Sequence, residues 1–392
     1  MQPSRFAALA AVGSIVLAGI ATQAGAAVAT TTTTPAFTRL ASSTAAVATL
    51  ASGRKSAAAP SGLKPYAEGN GSRSLSTYNK APAADQPAIG VVVVSVNWSQ
   101  LESTKGTYTT APIDSQIAAA AAKGLGVRLR VIAGTQAPAY VKSIGGTPIP
   151  FYDHQAVATT TIGRFWRTDY QARWQALMTY LAGKYDTNPT VREVNISGTG
   201  LISAEPMLTM GNDTIPGSSI TNNARLVAAG ATEAARRAAL DNDITFMEKT
   251  WVHTHLTLFC HPYVTIEPSP KKSLATTEAI VSSTYKADPG HVVFGHTGAS
   301  STTFQGGAHD QTLEMYNFFI ANHYPFMAQT QAYGGGAKNE GVGDLAYVMT
   351  WLADHGAYST ELPAGWQNDA TALKALAPTT AEMIASATGS GH

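Results

Sequence analysis

The stretch REVNISGTGLISAEPML, Arg192–Leu208, begins as an apolar, β-branched run and ends in glycines, a serine and one carboxylate, Glu205, just before a proline. A carboxylic acid beyond the end of a buried strand, with small residues around it, can reach a molecule above a sheet and give or take a proton. A second acid in a comparable setting is Glu361, in AYSTELPAGW, with Trp366 close behind. Two carboxylates in different surroundings can divide acid and base work between them. Other strand ends carry amides and imidazoles suited to hydroxyl groups: Asn97, His261, His296, Gln329 and Gln331. Trp98, Tyr140 and Trp366 offer flat faces for stacking or for packing. Asp153 and His154, in IPFYDHQ, belong to a long loop, where they line a cleft or cap the loop itself.

These residues need a frame. Short apolar runs alternate with amphipathic stretches from about residue 63 onward: IGVVVVSVNW, GVRLRVIAG, VREVNISG, HLTLFCHPY, HVVFGHTG, PFMAQTQAY and AYSTELPAGW. Between them, Trp174, Leu177, Met178, Leu181 and Tyr185 recur on one helical face. Leu345, Val348, Met349 and Leu352 do the same, and Gly356 follows as a stop. Seven strand–helix alternations predict an α/β domain with a parallel sheet and crossover helices. A doubly wound sheet satisfies the pattern; a (β/α)8 barrel fits the length better and puts its site at the C-terminal ends of the strands. The barrel needs an eighth strand, and only the degenerate stretch 63–88 can supply it.

The bulk numbers narrow the chemistry. The chain has 392 residues, 44% of them hydrophobic, enough for a large core, and a formal net charge of +1. That balance carries no footprint for nucleic acid or an anionic membrane surface and suits a neutral substrate. Residues 1–26 have the form of a cleaved secretory leader: Arg5, an apolar stretch Phe6–Ile20, and Ala24-Gly25-Ala26. Apart from that leader, no segment predicts contact with a membrane. Residues 27–62, rich in Thr, Ala and Ser, read as a disordered spacer before a barrel domain over 63–392. The single cysteine, Cys260, excludes an internal disulfide. There is no nucleophile elbow, dinucleotide fingerprint or HExxH, and His253 and His255 have a metal-compatible spacing without a carboxylate partner.

Three tracts in order carry a resemblance. Trp98–Tyr108 reads W-x-x-L-E-x-x-x-G-x-Y and is followed by Asp114 near the start of an alanine-rich helix. GVRLRVIAGTQAPAYV comes next, then FWRTDYQ through to SAEP. Together, over about residues 89–210 and more loosely to 366, they resemble the (β/α)8 glycoside hydrolases of the β-galactosidase and xylanase clan. The resemblance implies cleavage of O-glycosidic bonds in an oligo- or polysaccharide without a cofactor, with Glu205 as general acid/base. It implies a second carboxylate at the end of the seventh strand, where this sequence has Gln329 and Gln331. Glu361, one strand later, takes that role by default, and a pair on strands four and eight suits inversion with a water between the acids. Glu102 and Asp114 fall where the clan has structural residues, and Glu267 and Glu340 fall in loops. A carbohydrate-binding barrel without catalysis, or a scaffold displayed on the spacer, are the alternatives that the missing carboxylate leaves open.

Overall fold

The computed structural model describes residues 62–389 except 268, 307–310 and 335–340. The expected leader, residues 27–61 of the expected spacer, and Glu340 lie outside the described residues. Eight parallel strands form one sheet: β1 (Gly69–Ser72), β2 (Ile89–Asn97), β3 (Gly126–Ile132), β4 (Val191–Asn195), β5 (His255–Phe259), β6 (Val292–Gly295), β7 (Met327–Gln329) and β8 (Ser359–Leu362). Their order runs β6-β5-β4-β3-β2-β1-β8-β7. The two ends meet through the parallel bridge Phe294–Phe326 and a bond from Gln329 N–H to the His296 carbonyl (2.7 Å), so the sheet closes on itself. The helices α1 (Leu75–Tyr78), α2 (Ala111–Ala121), α3 (Thr168–Tyr185), α4 (Glu233–Thr250), α5 (Leu274–Ala287), α6 (Thr312–Ala321), α7 (Leu345–Asp354) and α8 (Ala370–Ala387) follow the strands in turn. This is the (β/α)8 barrel.

β1 is the strand that the sequence conceals, and its packing explains why. GNGS carries no apolar side chain because there is little room for any: a Cβ on Gly71 would lie 2.7 Å from Val91 Cγ1. Gly69, at φ +58°, would meet Thr380 Cγ2 at 2.7 Å. Asn70 uses its amide instead, donating to Thr379 Oγ1 and Thr380 Oγ1 at 2.9 Å each, which ties β1 to α8.

Successive strand residues face opposite ways. On β3, Val127, Leu129 and Val131 join the main apolar cluster between sheet and helices. Arg128 and Arg130 therefore point into the barrel, where they meet Glu193 of β4 and Glu361 of β8. The apolar part of the interior is small: Tyr66, Phe259, Val293 and Met327 with Ala204. Barrel interiors are ordinarily filled by branched aliphatic side chains; this one is largely ionic on one side. Among the additions that interrupt the alternation are a hairpin (Ile149–Asp153 with Ala158–Ile162) after β3, a short helix Asn222–Ala228 after β4 and a small hairpin (Tyr263–Val264 with Lys272–Ser273) after β5.

Candidate active site

The loop that leaves β4 holds Glu205, and glycines let it fold back over the barrel. A Cβ on Gly198 would come within 2.3 Å of the Trp174 indole nitrogen. Asp243, buried on α4, accepts from the Gly198 N–H and from Trp174 Nε1 at 2.8 Å each. Gly134, at φ +52°, lets the β3 exit approach so closely that a Cβ there would sit 2.0 Å from the Leu201 carbonyl oxygen. The neighbouring Thr135 N–H donates to that oxygen at 2.7 Å. The turn is thereby fixed from two sides before it reaches Glu205.

Glu205 is 6% exposed. Ser203 donates its hydroxyl to Oε2 at 2.6 Å, while Thr297 Oγ1 and His261 Nε2 both bind Oε1. Burial pushes the carboxyl up, but His261 beside it and the three hydrogen bonds outweigh this and pull it down to about 2. The His261 ring lies 4.3 Å from that of His296. His296 Nδ1 accepts the Gly298 N–H (3.0 Å), so its proton sits on Nε2 and its ring is neutral. Burial, and then the charge of His261, depress the His296 pKa well below the ordinary range.

Two clefts adjoin at this pair. One, of about 350 Å³, is lined by Glu205 with Arg130, Gln155, Phe259, Thr297 and Gln329 among others. The second, of about 280 Å³, has His261, His296, Lys272 and Gln331 in its walls. In the first, Gln329 Oε1 is a buried acceptor without a partner among the described residues. Asn195, on β4, accepts from the cleft-lining Arg130 Nε through Oδ1 (3.3 Å), and its buried Nδ2 has no partner among the described residues. Among the described residues that line the two clefts, Glu205 is the one carboxylate.

Glu361 does not share the cleft. It is 1% exposed. Three guanidiniums hold it: Arg130 Nη2 at 2.7 Å, Arg128 Nη1 at 3.6 Å and Arg73 Nε at 3.8 Å. Burial favours its neutral form, yet these charges keep it below the ordinary carboxylate range. Arg130, not Glu361, reaches the cleft wall. A nucleophile has to present an oxygen to the substrate, and this one is spent on ion pairs.

The aromatic platforms also need correction. Trp98 and Trp366 are fully buried. Trp98 donates to Glu102 Oε2 (3.0 Å) and Trp366 to Ser72 Oγ (3.4 Å). Tyr140 accepts from Arg173 Nε (3.3 Å) in the same network as Glu102, outside both clefts. Asn97 begins the one-turn helix Trp98–Leu101, its N–H bound by Gln100 Oε1 at 3.0 Å. Asp153 ends a hairpin strand and accepts the Gln155 and Ala156 N–H groups at 3.0 Å each, and His154 pairs with Asp213 (2.8 Å). Neither lines a cleft, although the turn that Asp153 caps brings Gln155 into one. His261, His296, Gln329 and Gln331 do line the clefts. Cys260 is a free, buried thiol. His253 and His255 bind the carbonyls of Gly62 (2.8 Å) and Lys64 (2.9 Å) at the opposite end of the barrel. Among the described residues, no cluster of three or more His, Cys, Asp or Glu could hold a metal ion, and no helix is long and apolar enough to cross a membrane.

Arg130, Thr297, Ser203, Asn195 and Gln155 were not expected. For Arg130 the signal was present: two arginines two residues apart in the apolar run GVRLRVIAG must share the inward face of the strand.

No family model matches the sequence, and no curated protein does. Solved structures do match. The catalytic domain of a β-amylase from Paenibacillus polymyxa superposes with a TM-score of 0.50 at 10% identity, over 79% of this chain and 95% of that one. Xylanase 10B from Thermotoga maritima gives 0.46 at 7% identity, over 81% and 96%. A β-galactosidase from the psychrophilic Marinomonas ef1 gives 0.48 at 12% identity, over 80% of this chain and 59% of that one. At such identities the likeness is one of fold. In its fold, the chain resembles the TIM-barrel glycoside hydrolases.

Proposed function

We propose that the chain hydrolyses an O-glycosidic bond of an oligo- or polysaccharide lying across the two clefts, with the Glu205–His261 pair as the proton-transfer unit. The observation that carries this reading is the pair itself: a buried carboxylate in the wall of one cleft bound to an imidazole in the wall of the other. A carboxyl held near 2 is a poor acid on its own. Bonded to His261 it belongs to a couple that holds one proton between Nε2 and Oε1. The couple gives that proton to the glycosidic oxygen as the bond to the anomeric carbon breaks. Water adds to that carbon, and its proton returns to the couple. Gln329 Oε1, an acceptor in the wall of the first cleft without a partner among the described residues, suits a sugar hydroxyl. On the same reading the protein is exported, with residues 1–26 as its leader and 27–62 as a spacer.

A carbohydrate-binding barrel without catalysis is the second reading, favoured by one observation: Glu361 is closed off by arginines, so the described lining has a single acid. A glycan panel read out by reducing-end release and by binding separates the two. Release that disappears in Glu205→Gln supports hydrolysis. Binding without release by the unaltered protein supports the second reading, and neither binding nor release defeats both.

A further inference from the structure

The described lining of the two clefts contains no tryptophan or tyrosine, so it offers no broad face on which an uncharged sugar ring can stack. Cations stand there instead. Arg130 lines the first cleft and Lys272 the second. The Arg130 guanidinium carbon lies 5.0 Å from the centroid of the Phe259 ring and so covers the one aromatic of that wall.

The charges beneath the cleft do not cancel. Arg73, Arg128 and Arg130 converge on Glu361, and Arg128 also meets Glu193 at 2.5 Å. Three guanidiniums thus face two carboxylates, and both acids are closed to solvent, Glu193 at 0% and Glu361 at 1% exposure. Glu205, the acid in the wall of the same cleft, is bound by His261, Thr297 and Ser203 instead of these guanidiniums. Of the three arginines, Arg130 is the one in the cleft wall, with its side chain 12% exposed. A guanidinium has five N–H donors. Arg130 spends three, on Asn195 Oδ1 (3.3 Å), Glu361 Oε1 (3.5 Å) and Glu361 Oε2 (2.7 Å), which leaves two. Surplus positive charge on low-dielectric walls attracts an anion. The planar fork of arginine matches the oxygens of a carboxylate or sulfate better than a lone hydroxyl does.

We propose that the glycan bound here carries an acid group, a uronate carboxylate or a sulfate ester, which sits against Arg130, and that Glu361 is the positioning residue that holds this guanidinium in place. The inference rests on the carbohydrate reading of the site and replaces the neutral substrate suggested by the overall charge balance.

The test is a glycan array with matched uronate, sulfated and neutral oligosaccharides, probed on ice with the full chain at low and at 0.5 M salt. The expected result is retention of acidic members about 10- to 100-fold more tightly than their neutral counterparts, the span of a charge-assisted hydrogen bond, with that margin shrinking in salt. The uronate and sulfate arms show which acid is taken. Arg130→Gln should bring acidic glycans down to the neutral level. This variant leaves two guanidiniums for two carboxylates, so the fold is expected to hold; should it fail, the acidic-to-neutral ratio and salt response of the unaltered chain decide alone. Neutral members bound as tightly as acidic ones, or bound exclusively, overturn the acidic class and leave the carbohydrate reading standing. Retention of no glycan at all overturns that reading and this inference with it.

Discussion

Glu205 and Glu361 stand in comparable places by sequence logic: one is an acid on the loop that leaves β4, the other an acid within β8. Both are almost fully buried, and both are held below the ordinary carboxylate range. Their partners differ. Glu205 is bound by two hydroxyls that donate hydrogen bonds and by an imidazole, the side chain type that can take up and release a proton near neutral pH. Glu361 is bound by guanidiniums, which stay charged at any working pH and pass no proton on. One acid is set up for proton transfer and the other for fixing a neighbour. A strand-end position nominates a catalytic carboxylate; the protonation chemistry of its partners decides whether it can act.

The sharpest way to break this contrast is to neutralise each acid in turn. Glu205→Gln keeps the shape and removes the proton-accepting oxygen, so turnover on a cleaved glycan should fall about 10²- to 10⁴-fold, the usual worth of acid–base catalysis. An unchanged initial rate would take Glu205 out of the reaction. Glu361→Gln should instead act on stability. It leaves Arg73, Arg128 and Arg130 with Glu193 as the one remaining carboxylate, a loss of about 3–5 kcal/mol for an uncompensated buried charge. Urea denaturation measures it. If Glu361→Gln folds as firmly as the unaltered chain but loses turnover, and azide restores it to Glu361→Ala, the roles assigned to the two acids are reversed.

What was legible in the sequence follows the same division. The strand and helix alternation was plain because β2 to β8 bury apolar faces against helices, which leaves a periodic signal. The (β/α)8 barrel could be argued from that, and the eighth strand was placed within 63–88 by elimination. Its identity as Gly69–Ser72 was not readable, because tight packing against Val91 and Thr380 strips the strand of side chains that would advertise it. Glu205 was singled out because a carboxylate after a glycine-rich strand exit is a local pattern, and the structure places it in the wall of a cleft. The fate of Glu361 is not local: its partners lie on β3 and beyond β1, more than 200 residues away in the chain, and no spacing rule reports them. Trp98 and Trp366 misled for a related reason. A tryptophan beside a strand end looks alike in sequence whether it faces the mouth or the helices, and both of these face the core.

A milder perturbation moves Glu205 without touching it. Gly134→Ala places a Cβ where the Leu201 carbonyl now sits, at a positive φ that alanine resists. The expected cost is about 1–3 kcal/mol of strain, with a fall in kcat that exceeds the fall in substrate affinity, since the loop carries Glu205 of the proton-transfer pair rather than the Arg130 side of the cleft. Equal losses in kcat and affinity would mean that the loop shapes the cleft as a whole.

A further contrast should appear as pH is varied, and it separates the acid limb of stability from the neutral limb. Glu205 has a folded-state pKa near 2, below the ~4.3 of an unfolded glutamate. Its contribution is therefore complete above that unfolded value and is lost as pH falls toward 2. Glu361 is depressed as well and acts in the same sense. Asp243 and Glu68 are pushed up by burial to about 7, so what they contribute is present at low pH and is lost as pH rises from about 4 through 7. Melting temperatures from pH 2.5 to 8 should form a dome. Glu205→Gln should flatten its acid side alone, and Asp243→Asn its neutral side alone. An acid limb that keeps its full slope in Glu205→Gln would mean that the imidazole and hydroxyls do not hold this carboxylate ionised, and the difference between the two glutamates would then lie in exposure to the cleft rather than in partner chemistry.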